Sequence, residues 1–281
     1  MRVAFLGLGR MGALLAGHVR DAGHDVTVWN RHRRELDGAR VADSVGEAVD
    51  GAEVVVTMLF DPDSVRAVAG ELLEHAADGA VWVDVTTVGP AASRELGERA
   101  VAAGVRFVDA PVLGSTPLAE PGELTTVVGG ADEDVERVRP LLGTWCADGK
   151  VVHVGPVGSG SAMKLVVNQS LGAVAAGLGE ALGLADHLDL PRDAVLDVLS
   201  AGAYGWTLGQ KRPMLESGDF SAATFSLSGL AKDLGLVVDA AGDHPVPLTR
   251  EVRARTQDAV DEGHGDEDYA VVIARIAAGR D

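Results

Sequence analysis

Basic side chains are scarce: 24 lysines and arginines face 42 aspartates and glutamates, a formal net charge of −18. A field of that sign repels phosphate polymers and anionic lipid, which disfavours nucleic-acid and membrane partners. Cysteine is rarer still. The lone Cys146 cannot form an internal disulfide, and no Cys/His cluster has metal-ligand spacing, so a metal-free protein of the reducing cytoplasm is expected. The apolar run at the N-terminus is too short for an export signal and leads straight into a glycine-rich turn. Internal repeats and low-complexity linkers are absent. With 47% hydrophobic and 23% charged residues over 281 positions, disorder, collagen and coiled-coil rods are excluded, and one large or two modest domains are expected.

Lysine is the scarcest cation. Only Lys150, Lys164, Lys211 and Lys232 are present among the 24 basic residues, so any lysine inside an apolar stretch needs an explanation. The arginines are unevenly spread: seven fall in residues 1–40 against Asp21, Asp25, Glu35 and Asp37, a net of +3, leaving −21 for the remainder. That segment is suited to an anion.

Up to residue 157, β-branched runs alternate with helical stretches: Val3–Leu6, Asp25–Trp29, Val54–Leu59, Val81–Val85, Arg106–Val108, Leu124–Val128 and Val151–Val154. Such alternation predicts βαβ units and a mainly parallel sheet with right-handed crossovers. After the turn Gly155-Pro156-Val157-Gly158-Ser159-Gly160 the strand pattern ends. Helices are expected over Ser161–Leu188, Arg192–Leu199, Thr207–Glu216, Leu227–Ala241 and Pro247–Glu262. The first of these is rich in Gly and Ala, but Lys164, Asn168, Gln169 and Glu180 interrupt it, which favours a buried helix over a membrane span. Its small residues suit close helix approach, within the domain and in a homodimer or homotetramer. The expected fold is α/β: an N-terminal Rossmann-like doubly wound sheet over residues 1–157, then an all-helical C-terminal domain over 158–281.

Gly7-Leu8-Gly9-Arg10-Met11-Gly12 follows an expected strand and opens an expected helix, the context that a G-x-G-x-x-G dinucleotide turn requires. The helix start attracts a diphosphate, and the glycines permit the turn, the ligand and the packing. Where NAD enzymes place a carboxylate on the ribose diol, this chain has Asn30 followed by Arg31, His32, Arg33 and Arg34. A guanidinium there binds a 2′-phosphate that a carboxylate would repel, so NADP (NADPH) is the expected cofactor, with Arg31 as its marker.

Lys164 and Asn168, four apart, share a helix face just past the sheet domain. An ammonium there can donate a proton to a carbonyl oxygen as hydride reaches the carbon, or accept one in reverse. Lys232 and Asp233 form a second charged pair in an apolar helical run, either an internal ion pair or a cation facing the same site. The segment Asp109 to Ser115 follows a strand with backbone amides suited to a carboxylate, and Thr86 and Thr87 fall at the same edge of the sheet. No serine has the strand-elbow context of a hydrolase.

In this order along the chain, the cofactor turn, the Asp109-Ala110-Pro111-Val112-Leu113-Gly114-Ser115 loop, the G-x-x-x-K-x-x-x-N helix from Gly160 through Lys164 to Asn168, and the Lys232-Asp233 pair resemble the β-hydroxyacid dehydrogenase family, relatives of 6-phosphogluconate dehydrogenase. The resemblance implies that Lys164 is the general acid/base and Asn168 its assistant. It implies that Leu113, Gly114 and Ser115, with Lys232 and Asp233, meet substrate. It further implies that Met58, Leu59, Thr87 and Lys232 join the turn and Asn30 at the cofactor, in a site between the domains. The stretch Gly114 to Leu124 is similar to that of the NADPH-dependent glyoxylate and succinic semialdehyde reductase branch. One departure stands out: members carry S-G-G or S-G-S where this chain has Leu113-Gly114-Ser115, a more apolar pocket. The expected activity is hydride transfer between nicotinamide and a small aldehyde or keto acid or a β-hydroxyacid. Two alternatives stand beside it: an imine reductase, an enzyme type of similar architecture that commonly has Asp or Tyr where this chain has Lys164, and a non-catalytic NADP sensor.

Overall fold

Runs such as Val3-Ala4-Phe5-Leu6 and Val54-Val55-Val56 offer no polar side to water, so strands built from them must be covered on both faces. The computed structural model describes residues 1–279 and covers them with helices. Its strands are β1 (Arg2–Leu6), β2 (Asp25–Trp29), β3 (Arg40–Val41), β4 (Val54–Thr57), β5 (Val81–Asp84), β6 (Arg106–Asp109), β7 (Val112–Leu113), β8 (Leu124–Gly129) and β9 (Cys146–Gly155). They form one sheet in the order β3-β2-β1-β4-β5-β6-β8-β7, with β9 paired to β8. From β3 to β6 every neighbour is parallel, whereas β8 runs antiparallel to β6 and β7. The two-residue strands β3 and β7 escaped the sequence pattern because neither is long enough for alternation to register.

Around this sheet lie α1 (Arg10–Asp21), α2 (Val45–Val49), α3 (Pro62–His75), α4 (Pro90–Ala102), α5 (Thr116–Ala119) and α6 (Asp132–Leu142). Alternation along each strand feeds two cores. Val3 and Phe5 pack with Leu15, Val19, Val138 and Leu141 on one face, and Ala4 and Leu6 pack with Val65, Leu72, Trp82 and Leu96 on the other. Strand order reverses at β1, which lies between β2 and β4. Open α/β sheets bind ligands at the carboxyl edge beside such a reversal.

Contacts divide the chain into two compact units, Met1–Lys164 and Leu165 onward, so the division falls inside α7 (Ser159–His187). The second unit continues through α8 (Arg192–Ser200), α9 (Gly205–Ser217), α10 (Leu227–Ala241), α11 (Pro247–Ala259) and α12 (Ala270–Ala277). By length and composition alone α7 could cross a bilayer, and its glycines show what its small residues do here. A Cβ on Gly172 would meet Leu234 and one on Gly179 would meet Ile276, while at Gly183 it would lie 2.7 Å from the Ala277 carbonyl oxygen. These glycines thus admit α10 and α12 close against α7. The sequence pattern missed α12 and extended α11 to Glu262. Gly263, at φ +100, breaks the helix there, and the apolar run that follows is recognisable as a helix only by the groove it fills.

Lys211, on α9, is 2% exposed. Its ammonium lies 2.8 Å from the wholly buried Asp268, donates to the Thr224 hydroxyl at 2.7 Å and sits 4.7 Å from the centre of the Tyr269 ring. Asp268 also accepts from the amides of Thr224, Phe225 and Ala270, so this one pair ties α9 to the segment entering α12. Removing one member of such a pair leaves a buried charge uncompensated. Lys211→Met is expected to lower unfolding free energy by about 3–5 kcal/mol in urea titration, against less than about 0.5 for breaking the exposed Arg255–Glu251 pair. A loss below about 1 kcal/mol at Lys211 would refute the assignment.

Candidate active site

The turn between β1 and α1 is packed so tightly that two of its glycines have no substitute. Gly7 adopts φ +109, and a Cβ there would fall 2.2 Å from the Met58 carbonyl oxygen; a Cβ on Gly12 would fall 2.1 Å from the Gly7 carbonyl oxygen. Gly9 differs. Its Cβ would meet nothing within 4 Å, and Gly9 leads into α1 with no side chain capping the helix amides. Open space before uncapped helix amides is a cradle suited to a diphosphate, so the residues present fit a dinucleotide. The Leu8 amide donates to the Asn30 side-chain oxygen at 2.9 Å, and Arg34 donates to the Leu8 carbonyl at 2.8 Å. Asn30 also donates to the His32 carbonyl. Arg33 pairs with Asp43, while Arg31 is exposed and makes no hydrogen bond or ion pair among the described residues. Arg10 is exposed and Met11 half-buried against the core.

Beside this turn the ends of β4 and β5 are tied by a buried carboxyl that the sequence reading left out of the site. Asp84 accepts on one oxygen from the Thr57 hydroxyl at 2.8 Å and from the Thr86 amide at 3.1 Å. The Trp82 indole donates to Thr57, and the Leu59 amide donates to the Thr86 hydroxyl at 3.0 Å. Met58 and Leu59 are therefore held against Gly7 from one side and to β5 from the other, with half-buried Thr87 following Thr86. The second oxygen of Asp84 is buried and has no hydrogen-bond partner, and burial pushes its carboxyl up to about 7 despite the hydroxyls and amide that bond it. A signal existed. Val81-Trp82-Val83-Asp84 and Arg106-Phe107-Val108-Asp109 both end a buried strand on a carboxylate, and a charge placed there needs partners.

Asp109 is the second of these, directly beside Asp84 in the parallel register. One of its oxygens accepts from the Gly158 amide and the other from the Ser161 amide, each at 2.7 Å. From Asp109 the chain enters the loop carrying Leu113, Gly114 and Ser115. Leu113 pairs with Thr125 in β7–β8, Gly114 adopts φ +119, and Ser115 precedes α5 without its hydroxyl capping the helix. On α7, half-buried Lys164 precedes buried Asn168 by one turn. In the second unit the Asn168 amide donates to Asp233 at 2.5 Å, and the Lys232 ammonium lies 2.6 Å from the other Asp233 oxygen. Buried Asn168 and Asp233 and half-buried Lys232 therefore form one cluster in which Asp233 fixes both neighbours. Lys232 and Asp233 are thus ion-paired within α10.

The raised value of Asp84 generates a pH dependence. Its ordinary value is 3.8, so the penalty for ionising it is absent below about pH 4, grows as pH rises and is complete above about 7. Asp84→Asn keeps the accepting oxygen and cannot ionise. Its urea midpoint relative to the wild type is expected to rise between pH 4 and 8. A difference that stays flat across that range would show that Asp84 is not held protonated.

Residues 2–155 match the NAD binding domain of 6-phosphogluconate dehydrogenase, and residues 158–276 match the family described as NAD-binding of NADP-dependent 3-hydroxyisobutyrate dehydrogenase. The chain is 32% identical to glyoxylate/succinic semialdehyde reductase 1 of Arabidopsis thaliana, over 100% of each chain. It is 31% identical to the NAD-dependent L-serine dehydrogenase of Pseudomonas aeruginosa, over 96% of each. Among solved structures, the 3-hydroxyisobutyrate dehydrogenase of Mycobacterium tuberculosis with L-serine superposes with a TM-score of 0.88 at 30% identity, covering 97% of each chain. An imine reductase from Myxococcus stipitatus, at 22% identity and a TM-score of 0.65, shares the fold alone.

Proposed function

The chain belongs to the β-hydroxyacid dehydrogenase family, nicotinamide-dependent oxidoreductases related to 6-phosphogluconate dehydrogenase, and from that premise we propose that it is an NADPH-dependent reductase of small aldehyde or keto acids in which Lys164 is the proton donor. The observation that carries this reading is the α7 face itself. Lys164 lies one turn before Asn168, whose amide is fixed by Asp233, itself paired with Lys232, so the face presents an ammonium beside an immobilised amide.

The residues that would hold the cofactor are Gly7 to Gly12, Asn30, Arg31, Met58, Leu59 and Thr87. When bound, the nicotinamide supplies the hydride that reduces a carbonyl carbon. Lys164 gives a proton to the substrate oxygen, which would otherwise gather negative charge, and in the oxidative direction takes it back. Asn168 orients Lys164 or that oxygen. The backbone of Gly114 and the hydroxyl of Ser115, uncommitted to a helix cap, bind the acidic group of the substrate. Leu113 supplies an apolar wall, and Lys232 adds positive charge. Preference for the 2′-phosphate rests on Arg31, whose guanidinium no carboxylate neutralises.

Leu113, where members of the family usually carry a hydroxyl, favours a second reading in which the acceptor is a C=N bond. Cyclic imines assayed beside succinic semialdehyde under NADPH separate the two.

Lys164→Ala is expected to lower kcat for succinic semialdehyde by about 10²–10⁴-fold while the Kd of NADPH stays within about threefold. Turnover that persists in this variant would defeat the role. Arg31→Asp is expected to raise the NADPH Kd by about 10–100-fold, about 1.4–2.8 kcal/mol, with NADH within about threefold by fluorescence titration. Equal effects on the two cofactors would remove the NADP preference.

A further inference from the structure

Lys164 stands one helical turn after Ser161, and the start of α7 is held by contacts that have no role in covering a hydrophobic core. Asp109, wholly buried at the end of β6, receives the Gly158 and Ser161 amides on its two oxygens. The Ser161 hydroxyl is 2.7 Å from that of Ser93 on α4, with both residues buried. Backbone closes the third side. A Cβ on Gly160 would fall 2.7 Å from the carbonyl oxygens of Asp109 and Val127, and one on Gly129 would fall 2.4 Å from the Asp109 carboxylate. The first turn of α7 therefore sits directly on the ends of β6 and β8, with no side chain between them.

From this geometry we infer that Asp109 is a positioning residue for the reaction: its carboxylate sets where Lys164 stands, and because the substrate loop leaves the sheet at the same residue, it keeps lysine and loop in one frame. An N-terminal helix turn has unpaired amides and a partial positive charge, so a carboxylate at that point holds it in place and in orientation. Burial pushes the Asp109 carboxyl above its ordinary value and the two amides pull it back. Displacement carries through the helix: three residues at 1.5 Å each put Lys164 about 4.5 Å along the axis from Ser161, within the first two turns that Asp109 anchors. A shift of that start moves the ammonium by a comparable amount, and proton transfer is intolerant of misplacement on the scale of 1 Å. The same packing explains why the motif of this helix begins with glycine at position 160.

The inference rests on Lys164 as proton donor, and the test separates the two. Asp109→Asn, Gly160→Ala and Lys164→Ala are compared with wild type by NADPH titration, by kcat for succinic semialdehyde, and by mass spectrometry of Lys164 methylation with formaldehyde and cyanoborohydride, using Lys150 as internal reference. Asp109→Asn is expected to lose at least about tenfold in kcat with the NADPH Kd within about threefold, and to change the Lys164 to Lys150 methylation ratio at least about threefold. Gly160→Ala, which leaves every polar group in place, is expected to do the same and decides the matter if the Asp109 variant does not fold. Wild-type kcat and methylation in either folded variant would overturn the inference, as would NADPH binding that falls in parallel with kcat. If Lys164→Ala turns over like wild type, the assigned role of Lys164 fails instead, and the methylation ratio still reports whether Asp109 places the amine.

Discussion

Two carboxyl groups lie in register on neighbouring parallel strands, at the carboxyl edge of the sheet. Asp84 and Asp109 expose no surface, and each is tolerated only because it is bonded to chain segments that would otherwise be loose. Asp84 gathers Thr57 and Thr86, and through Thr86 the backbone of Leu59. Asp109 gathers the start of α7. Burial pushes both carboxyls above their ordinary value, and for Asp84 the neighbouring Asp109 adds to that push. The cost of burying both groups is offset by four strand and helix termini held at defined positions, as a site with small tolerances requires.

The helical unit uses a similar device with different chemistry. Lys211 and Asp268 place opposite charges where neither reaches water, and the carboxylate also satisfies three backbone amides. Asp233 does the same on a smaller scale for Asn168 and Lys232. In each case one aspartate serves several donors from separate segments, so the polar groups act as cross-links between elements whose apolar packing alone would permit sliding. Glycines on α7 complement this. Gly172, Gly179 and Gly183 let neighbouring helices come close enough for the cross-links to form.

Much of the architecture was legible in the linear order of residues. The runs Asp25–Trp29 and Leu227–Ala241 became a strand and a helix with the same bounds, because each is long enough to repeat its own period and ends on a turn or cap signal. Short elements were not: β3 and β7 have two residues each, and α12 is defined by the surface it fills. In the site, Gly7 and Gly12 could be read from spacing, since a tight turn leaves no alternative residue. Asp84 was marked only as a carboxylate ending a buried strand, because the partners that give it a role come from β4 and the segment after β5 and are adjacent only in space. Asn30, expected at the cofactor, bonds the turn itself, a tie across 22 residues.

Composition, periodicity and the order of a few motifs were enough to define the fold class, the family and the helix face that carries Lys164 and Asn168, since all of these depend on near neighbours along the chain. Folding alone assigned the partners: which carboxylate holds the start of α7, which lysine is locked inside the core and which arginine after β2 makes no ion pair among the described residues. Hydrogen bonds and ion pairs act over about 3 Å, and residues far apart in the chain come within that distance only after the sheet and helices have packed.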